Sequence, residues 1–101
     1  MRSSDDLLRN YRAAFLSYLP RREEAALHRG YELGRAATVE HCSVLEIAQV
    51  HHQVLADVLR ETDGAEICAV TTAASEFLLE VLSTFDMTHR RLHESRPALD
   101  T

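Results

Sequence analysis

The chain contains no lysine and no tryptophan, and it has few of the residues that build turns. Its 101 residues include three Gly, two Pro and two Cys. So few turn residues disfavour an all-β fold, which needs many tight turns. All eleven basic residues are arginine, and sixteen acidic residues outnumber them. No basic block can follow a phosphate backbone. The composition therefore predicts one acidic helical domain, and we expect no nucleic-acid partner.

Long hydrophobic runs are also missing. No stretch reaches the roughly 18 to 20 uncharged apolar residues that a membrane-spanning helix needs. Residues 1–6 lack the apolar run of a secretion signal. We therefore expect a cytoplasmic protein without a membrane partner. Cys42 and Cys68 show no CxxC spacing and are interpreted as small hydrophobic residues rather than a disulfide.

Apolar residues recur at helical spacing along four segments. The predicted helices run from a Ser4 cap to Leu19, from Arg21 to His41, from Val44 to Arg60, and from near Ala65 towards Pro97. Because the connections are short, the pattern predicts an all-α fold, an antiparallel up-down four-helix bundle with a long C-terminal helix. We assign residues 1–94 to the domain and 95–101 to a flexible tail or the start of a linker.

Local signals refine this fold. Ser43 and Glu46 have the spacing of a capping box, which predicts the start of the third helix. Gly30 and Gly34 remove side chains from one line of the second helix, and we expect a neighbouring helix to pack closely there. At 1.5 Å per residue the fourth helix reaches about 45 Å. Residues 88–96 should therefore project beyond the bundle or pack against a further element.

Few residues could carry chemistry. His89 and His93 have a spacing able to hold one metal ion, but no third ligand is evident. His51 lies in an apolar stripe and is interpreted as a core histidine bonded to a hydroxyl or carbonyl. His28, followed by Arg29 and Gly30, resembles a phosphotransfer histidine, but the usual lysine is missing. We expect no catalytic residue, metal or cofactor. A metal- or small-ligand-sensing bundle and a histidine phosphotransfer domain stay as alternatives.

Several segments together resemble the N-terminal domain of RsbU-type serine phosphatases. The similarity covers about residues 7–93 and is carried by YRAAFLSYL at 11–19, AL at 26–27, GRAA at 34–37, the capping box, VHHQVL at 50–55 and FLLEVL at 77–82. The resemblance implies a non-catalytic, all-helical domain that dimerises and precedes a metal-dependent phosphatase domain. It also implies that a kinase-like switch protein binds this domain and activates the phosphatase in bacterial control of a stress sigma factor.

The resemblance also points to particular residues. It implies a partner surface formed by Glu24, His28, Leu79 and Ser83. Glu24 and Leu79 keep the character of the family, whereas His28 and Ser83 depart from it. We expect the homodimer interface on the first helix and neighbouring surfaces. The structural core is predicted to include Tyr11, Phe15, His51, Leu55 and Phe77.

Overall fold

A computed structural model describes the backbone of residues 2–94 and the side chains of residues 5–91. The four α-helices are α1 (Arg2–Tyr18), α2 (Glu24–Val39), α3 (Val44–Arg60) and α4 (Ile67–Glu94). A single 3₁₀ turn, Gly64–Glu66, leads into α4. No strand occurs between residues 2 and 94. The predicted all-α fold is confirmed, and the predicted tail at 95–101 lies outside the described residues.

The packing of α2 against α4 is the most extensive in the bundle. α2 also packs against α1, and α3 packs against α1 and α4. Gly30 faces Phe77, whereas Gly34, one turn later in α2, faces Thr84 and Phe85. The two helices therefore run in the same direction. The full up-down order and the dimer stay predictions.

The core is built around the ring of Phe77, which is completely buried. Three rings surround it, with centroid distances of 5.2 Å to Tyr11, 5.7 Å to Phe15 and 5.8 Å to Tyr18. Such edge and tilted arrangements are favourable for aromatic pairs. Tyr11, Phe15 and Phe77 thus lie in the core, as expected. The other two predicted core residues, His51 and Leu55, are half-buried at its edge.

Gly34 lets the backbones of α2 and α4 approach closely. A Cβ atom at this position would lie 2.9 Å from the backbone nitrogen of Phe85, and closer still to Thr84 Oγ1 and the Val81 carbonyl oxygen. One turn later the hydroxyl of Thr38 donates to the carbonyls of Gly34 (3.1 Å) and Phe85 (3.3 Å). The expectation that a neighbouring helix packs closely against the glycine line, formed by Gly30 and Gly34, is confirmed.

The start of α3 agrees with the sequence signal. The Ser43 hydroxyl accepts from the Glu46 backbone N–H at 3.1 Å, and the Glu46 carboxylate accepts from the Ser43 backbone N–H at 2.8 Å. These bonds satisfy two N–H groups that a helix start leaves without intrahelical partners. The predicted capping box is confirmed.

The end of α2 differs from the prediction. The helix stops at Val39, and His41 adopts a positive φ of 62°. The His41 and Cys42 N–H groups donate to the carbonyls of Thr38 (3.0 Å) and Ala37 (2.8 Å), which is a Schellman ending. The prediction that this helix continues to His41 is therefore wrong, because the left-handed backbone of His41 reverses the chain and leaves its side chain exposed.

Three other helix boundaries also move. α1 begins at Arg2, so Ser4 lies inside the helix instead of capping it, and it ends at Tyr18 rather than Leu19. α2 begins at Glu24 rather than Arg21, because the left-handed Arg22 (φ 53°) lies in the connection. Helix ends are the least determined part of an apolar pattern, because shifting a boundary by a few residues changes few contacts.

α4 is the longest helix, with 28 residues against 16 or 17 in the others. This gives it about 42 Å, compared with about 25 Å for each of its neighbours. Because α2 runs parallel to α4, the C-terminal end of α2 lies beside the C-terminal part of α4. Val39 therefore lines a cavity together with Thr88 and Arg91. Any projecting segment therefore begins later than the predicted residue 88.

One segment, Gly64–Arg91, is long and apolar enough to cross a membrane by length and composition. Of the 18-residue window concerned, 28% is buried in the bundle. Ala73, Ala74, Phe77 and Val81 form the buried face of this helix. Core helices of this kind pass the same test, so the finding by itself assigns no membrane role.

Candidate partner-binding surface

The four residues of the expected partner surface are all exposed to solvent. Glu24 and His28 lie on α2, and Leu79 and Ser83 lie on α4. The glycine line brings these two helices into direct contact. The four residues therefore belong to the most closely packed helix pair of the bundle.

Leu79 is the most distinctive member of the partner surface. It lies two residues after the buried Phe77, and two steps of about 100° place it on the opposite side of the helix. Its side chain is 63% exposed. An aliphatic side chain on this face adds nothing to the core, but it offers apolar area that a protein partner can bury.

His28 is held against its own helix. Its Nε2 atom lies 3.3 Å from Glu32 Oε2, and its ring stacks on Tyr31 with a centroid distance of 5.2 Å. These contacts orient the imidazole along the helix surface, although the side chain stays exposed. The ring can therefore contribute a flat polar surface to a contact.

His51 is tied to a hydroxyl, as expected for a core histidine. Its Nδ1 atom lies 3.0 Å from the hydroxyl oxygen of Tyr11. Burial, with a smaller contribution from His52, lowers the pKa of His51, and burial raises the pKa of Tyr11. The neutral imidazole and the protonated phenol are thus the favoured forms, and the bond joins α3 to α1.

Polar networks also fix α1 to its neighbours. Arg12 of α1 lies 2.9 Å from the carboxylate of Asp57 in α3, and Arg60 contacts the same carboxylate. Hydrogen bonds from Arg12 and Arg60 lower the pKa of Asp57. At the other end of α1, the Tyr18 hydroxyl donates to Glu76 of α4 at 2.8 Å. These contacts position helices and leave the partner surface free of them.

Metal and thiol chemistry receive no support from the described residues. No group of three or more His, Cys, Asp or Glu could hold a metal ion among them. Of the two histidines with a spacing able to hold an ion, His89 stacks on Phe85 at 5.8 Å, and the side chain of His93 is outside the described part. Cys42 is a buried free thiol whose pKa is raised by burial, and Cys68 is an exposed free thiol.

Sequence reasoning missed a cavity between the C-terminal halves of α2 and α4. This arginine cavity has a volume of about 340 Å³ and is lined by Tyr31, Arg35, Val39, Met87, Thr88 and Arg91. The three α2 residues recur every four positions, so they share one helix face. That four-residue spacing is visible in the sequence and indicates a shared helix face. Only the parallel packing of α2 and α4, however, brings Arg35 and Arg91 to one site.

The fold defines the class of protein as a small all-helical domain of four packed α-helices. The family model described as Phosphoserine phosphatase RsbU, N-terminal domain, matches residues 9–88. The chain belongs to this family, and it is the non-catalytic, N-terminal regulatory domain of RsbU phosphatases. The resemblance found in the sequence is thereby confirmed. No curated protein and no solved structure matches the chain significantly.

Proposed function

We propose that this domain is an interaction and dimerisation module that controls a serine phosphatase by binding a kinase-like switch protein. It acts in the cytoplasm, in bacterial partner-switching control of a stress sigma factor. The observation that carries the proposal is the family match across residues 9–88. Regulation through protein contacts also suits the exposed aliphatic side chain of Leu79, which a partner protein can bury.

The partner surface supplies the contact in this proposal. Leu79 provides an exposed apolar anchor, and Ser83 lies one turn further along the same face of α4. Glu24 and His28 offer exposed polar groups on the neighbouring helix α2. Interfaces of this type depend on a few well-placed side chains surrounded by weaker contacts. The docked partner would then bury the exposed aliphatic face of α4.

Calorimetric titration of the chain with the kinase-like switch proteins encoded in its source genome tests the proposal. Truncation of an interface anchor costs about 2 kcal/mol, so Leu79→Ala should weaken binding about 30-fold. Leu45→Ala is the matched control, because Leu45 on α3 is 64% exposed against 63% for Leu79. Equal binding by both variants would place the partner elsewhere, and no binding by the unmodified chain would reject the switch-protein role.

Dimerisation is proposed to use α1, where Leu16 is 45% exposed beside the exposed Ala13. Sedimentation equilibrium should give twice the monomer mass for the unmodified chain. A charge at the interface opposes association, so Leu16→Glu should shift the equilibrium to monomer, whereas Leu45→Glu on α3 should not. A monomeric unmodified chain, or a dimer that tolerates Leu16→Glu, would contradict this assignment.

The length of α4 suggests how binding reaches a phosphatase domain. A continuous helix can pass a rearrangement of its neighbours to whatever follows it. In a phosphatase that carries this domain, Arg90→Pro should interrupt α4 and abolish activation by the switch protein, while Arg90→Ala should preserve it. Normal activation of the proline variant would rule out a helical relay.

A further inference from the structure

Most arginines with described side chains are paired with a carboxylate, and two of the three exceptions lie in one place. Nine arginines have described side chains, and six of them lie within 4.0 Å of a carboxylate. Arg29, Arg35 and Arg91 have no ion pair within the described side chains. Two of these three, Arg35 and Arg91, line the arginine cavity.

The arginine cavity combines positive charge with apolar surface. No carboxylate is present among its lining residues. Val39 is 64% exposed and Met87 is 49% exposed at its wall, and Tyr31 and Thr88 provide hydroxyl groups. In a chain of formal charge −5, two guanidinium groups that form no ion pair with any described side chain thus lie beside an apolar wall. Guanidinium groups bind carboxylates through paired, directional hydrogen bonds.

We infer that the arginine cavity is a docking site for an acidic, amphipathic segment of a partner protein. The guanidinium groups of Arg35 and Arg91 bind carboxylates of that segment, and Val39 and Met87 contact its apolar side chains. The two positive charges are complementary to carboxylates, and the exposed apolar wall is complementary to apolar side chains. An acidic peptide with one apolar face offers both. This inference goes beyond the proposed function, since none of these residues belongs to the partner surface.

Amide and arginine side-chain NMR of the labelled chain tests this inference directly. The probe is a short amphipathic peptide of leucine and glutamate, and its control is the same peptide with glutamine replacing glutamate. The acidic peptide should shift the Arg35 and Arg91 Nε–H signals to saturation. It should bind about tenfold more tightly than the glutamine peptide, because a charge-assisted hydrogen bond is lost in the latter.

Three glutamine variants distinguish binding in the arginine cavity from non-specific attraction to positive charge. Arg35→Gln and Arg91→Gln should each weaken the acidic peptide about tenfold. Arg29→Gln removes the same charge from the third unpaired arginine, which lies outside the arginine cavity, and should change binding less than twofold. All three positions are exposed, and unchanged circular dichroism should confirm that each variant is folded.

Several outcomes would overturn the inference. Equal affinity for the two peptides would remove the role of carboxylates, and equal loss in all three variants would indicate non-specific attraction. Saturation of the same signals by inorganic phosphate, at lower concentrations than the peptide needs, would define a small-anion site instead. This titration uses no switch protein, so its result is independent of the test of the proposed function.

Discussion

Substitution of Gly34 by alanine should separate α2 from α4. The added Cβ would lie 2.9 Å from the Phe85 backbone nitrogen and closer to Thr84 Oγ1 and the Val81 carbonyl oxygen. Two of these three atoms belong to the backbone of α4, which a side-chain rotation cannot move. The helices must therefore shift apart along the face where their packing is most extensive.

The expected magnitude follows from two opposing effects. Overpacking of a tight interface costs about 3 kcal/mol when backbone must move. Replacing glycine by alanine inside a helix returns about 1 kcal/mol. The Gly34→Ala chain should thus lose about 2 kcal/mol of unfolding free energy. For a domain of this size, that loss lowers the melting temperature by about 10 °C.

Gly30→Ala provides the matched comparison. A Cβ at Gly30 would lie 3.1 Å from Cε1 of Phe77 and 3.4 Å from Cγ2 of Val81, so only side chains need to yield. Its unfolding free energy should change by less than about 1 kcal/mol, since the helix gain offsets the tighter contact. Urea unfolding measures both variants. A Gly34→Ala chain as stable as the unmodified chain would refute the close approach of α2 and α4.

Three further predictions concern stability. His41→Gly should raise the unfolding free energy by about 1 kcal/mol, because glycine adopts the left-handed backbone at this position without strain; a lower urea midpoint would contradict this. Ser43→Ala should lower it by about 1 kcal/mol through loss of the helix cap, and an unchanged thermal midpoint would argue against the capping box. Below a pH of about 6.5 the unfolded chain takes up the His51 proton more readily than the folded chain does, since burial lowers the folded pKa. In urea titrations the free energy of unfolding should therefore decrease as the pH is lowered through this range. The decrease should be less steep in His51→Gln and as steep as in the unmodified chain in His52→Gln; equal slopes in all three would contradict the assignment.

The sequence predicted features that depend on local chemistry. The capping box of Ser43 and Glu46 involves only atoms close together in sequence. The four residues from Ser43 to Glu46 are therefore enough to predict where α3 begins. The glycine line was also readable, because a missing side chain on a helix face implies something that fits against it. Here the structure adds the identity of the contact, with Gly34 against Phe85 and Thr84.

Features that depend on a single backbone conformation or on how two helices pack could not be predicted from the sequence. The helix pattern of α2 continues in composition beyond Val39, but the left-handed backbone of His41 ends it. The arginine cavity joins Arg35 with Arg91, and their meeting depends on the parallel register of two helices. No local pattern encodes that register, which is set by tertiary packing of whole helix faces.

Hydrogen exchange of the domain, free and in complex with its switch protein, shows which helices the partner covers. A partner surface on α2 and α4 predicts slowed exchange in α2 around Glu24 and His28 and in α4 around Leu79 and Ser83, with α3 unchanged. Buried backbone hydrogen bonds exchange slowly even in a free protein, so the comparison is made peptide by peptide between free and bound chains. Protection confined to α3, or identical exchange with and without the switch protein, would contradict a regulatory surface formed by α2 and α4.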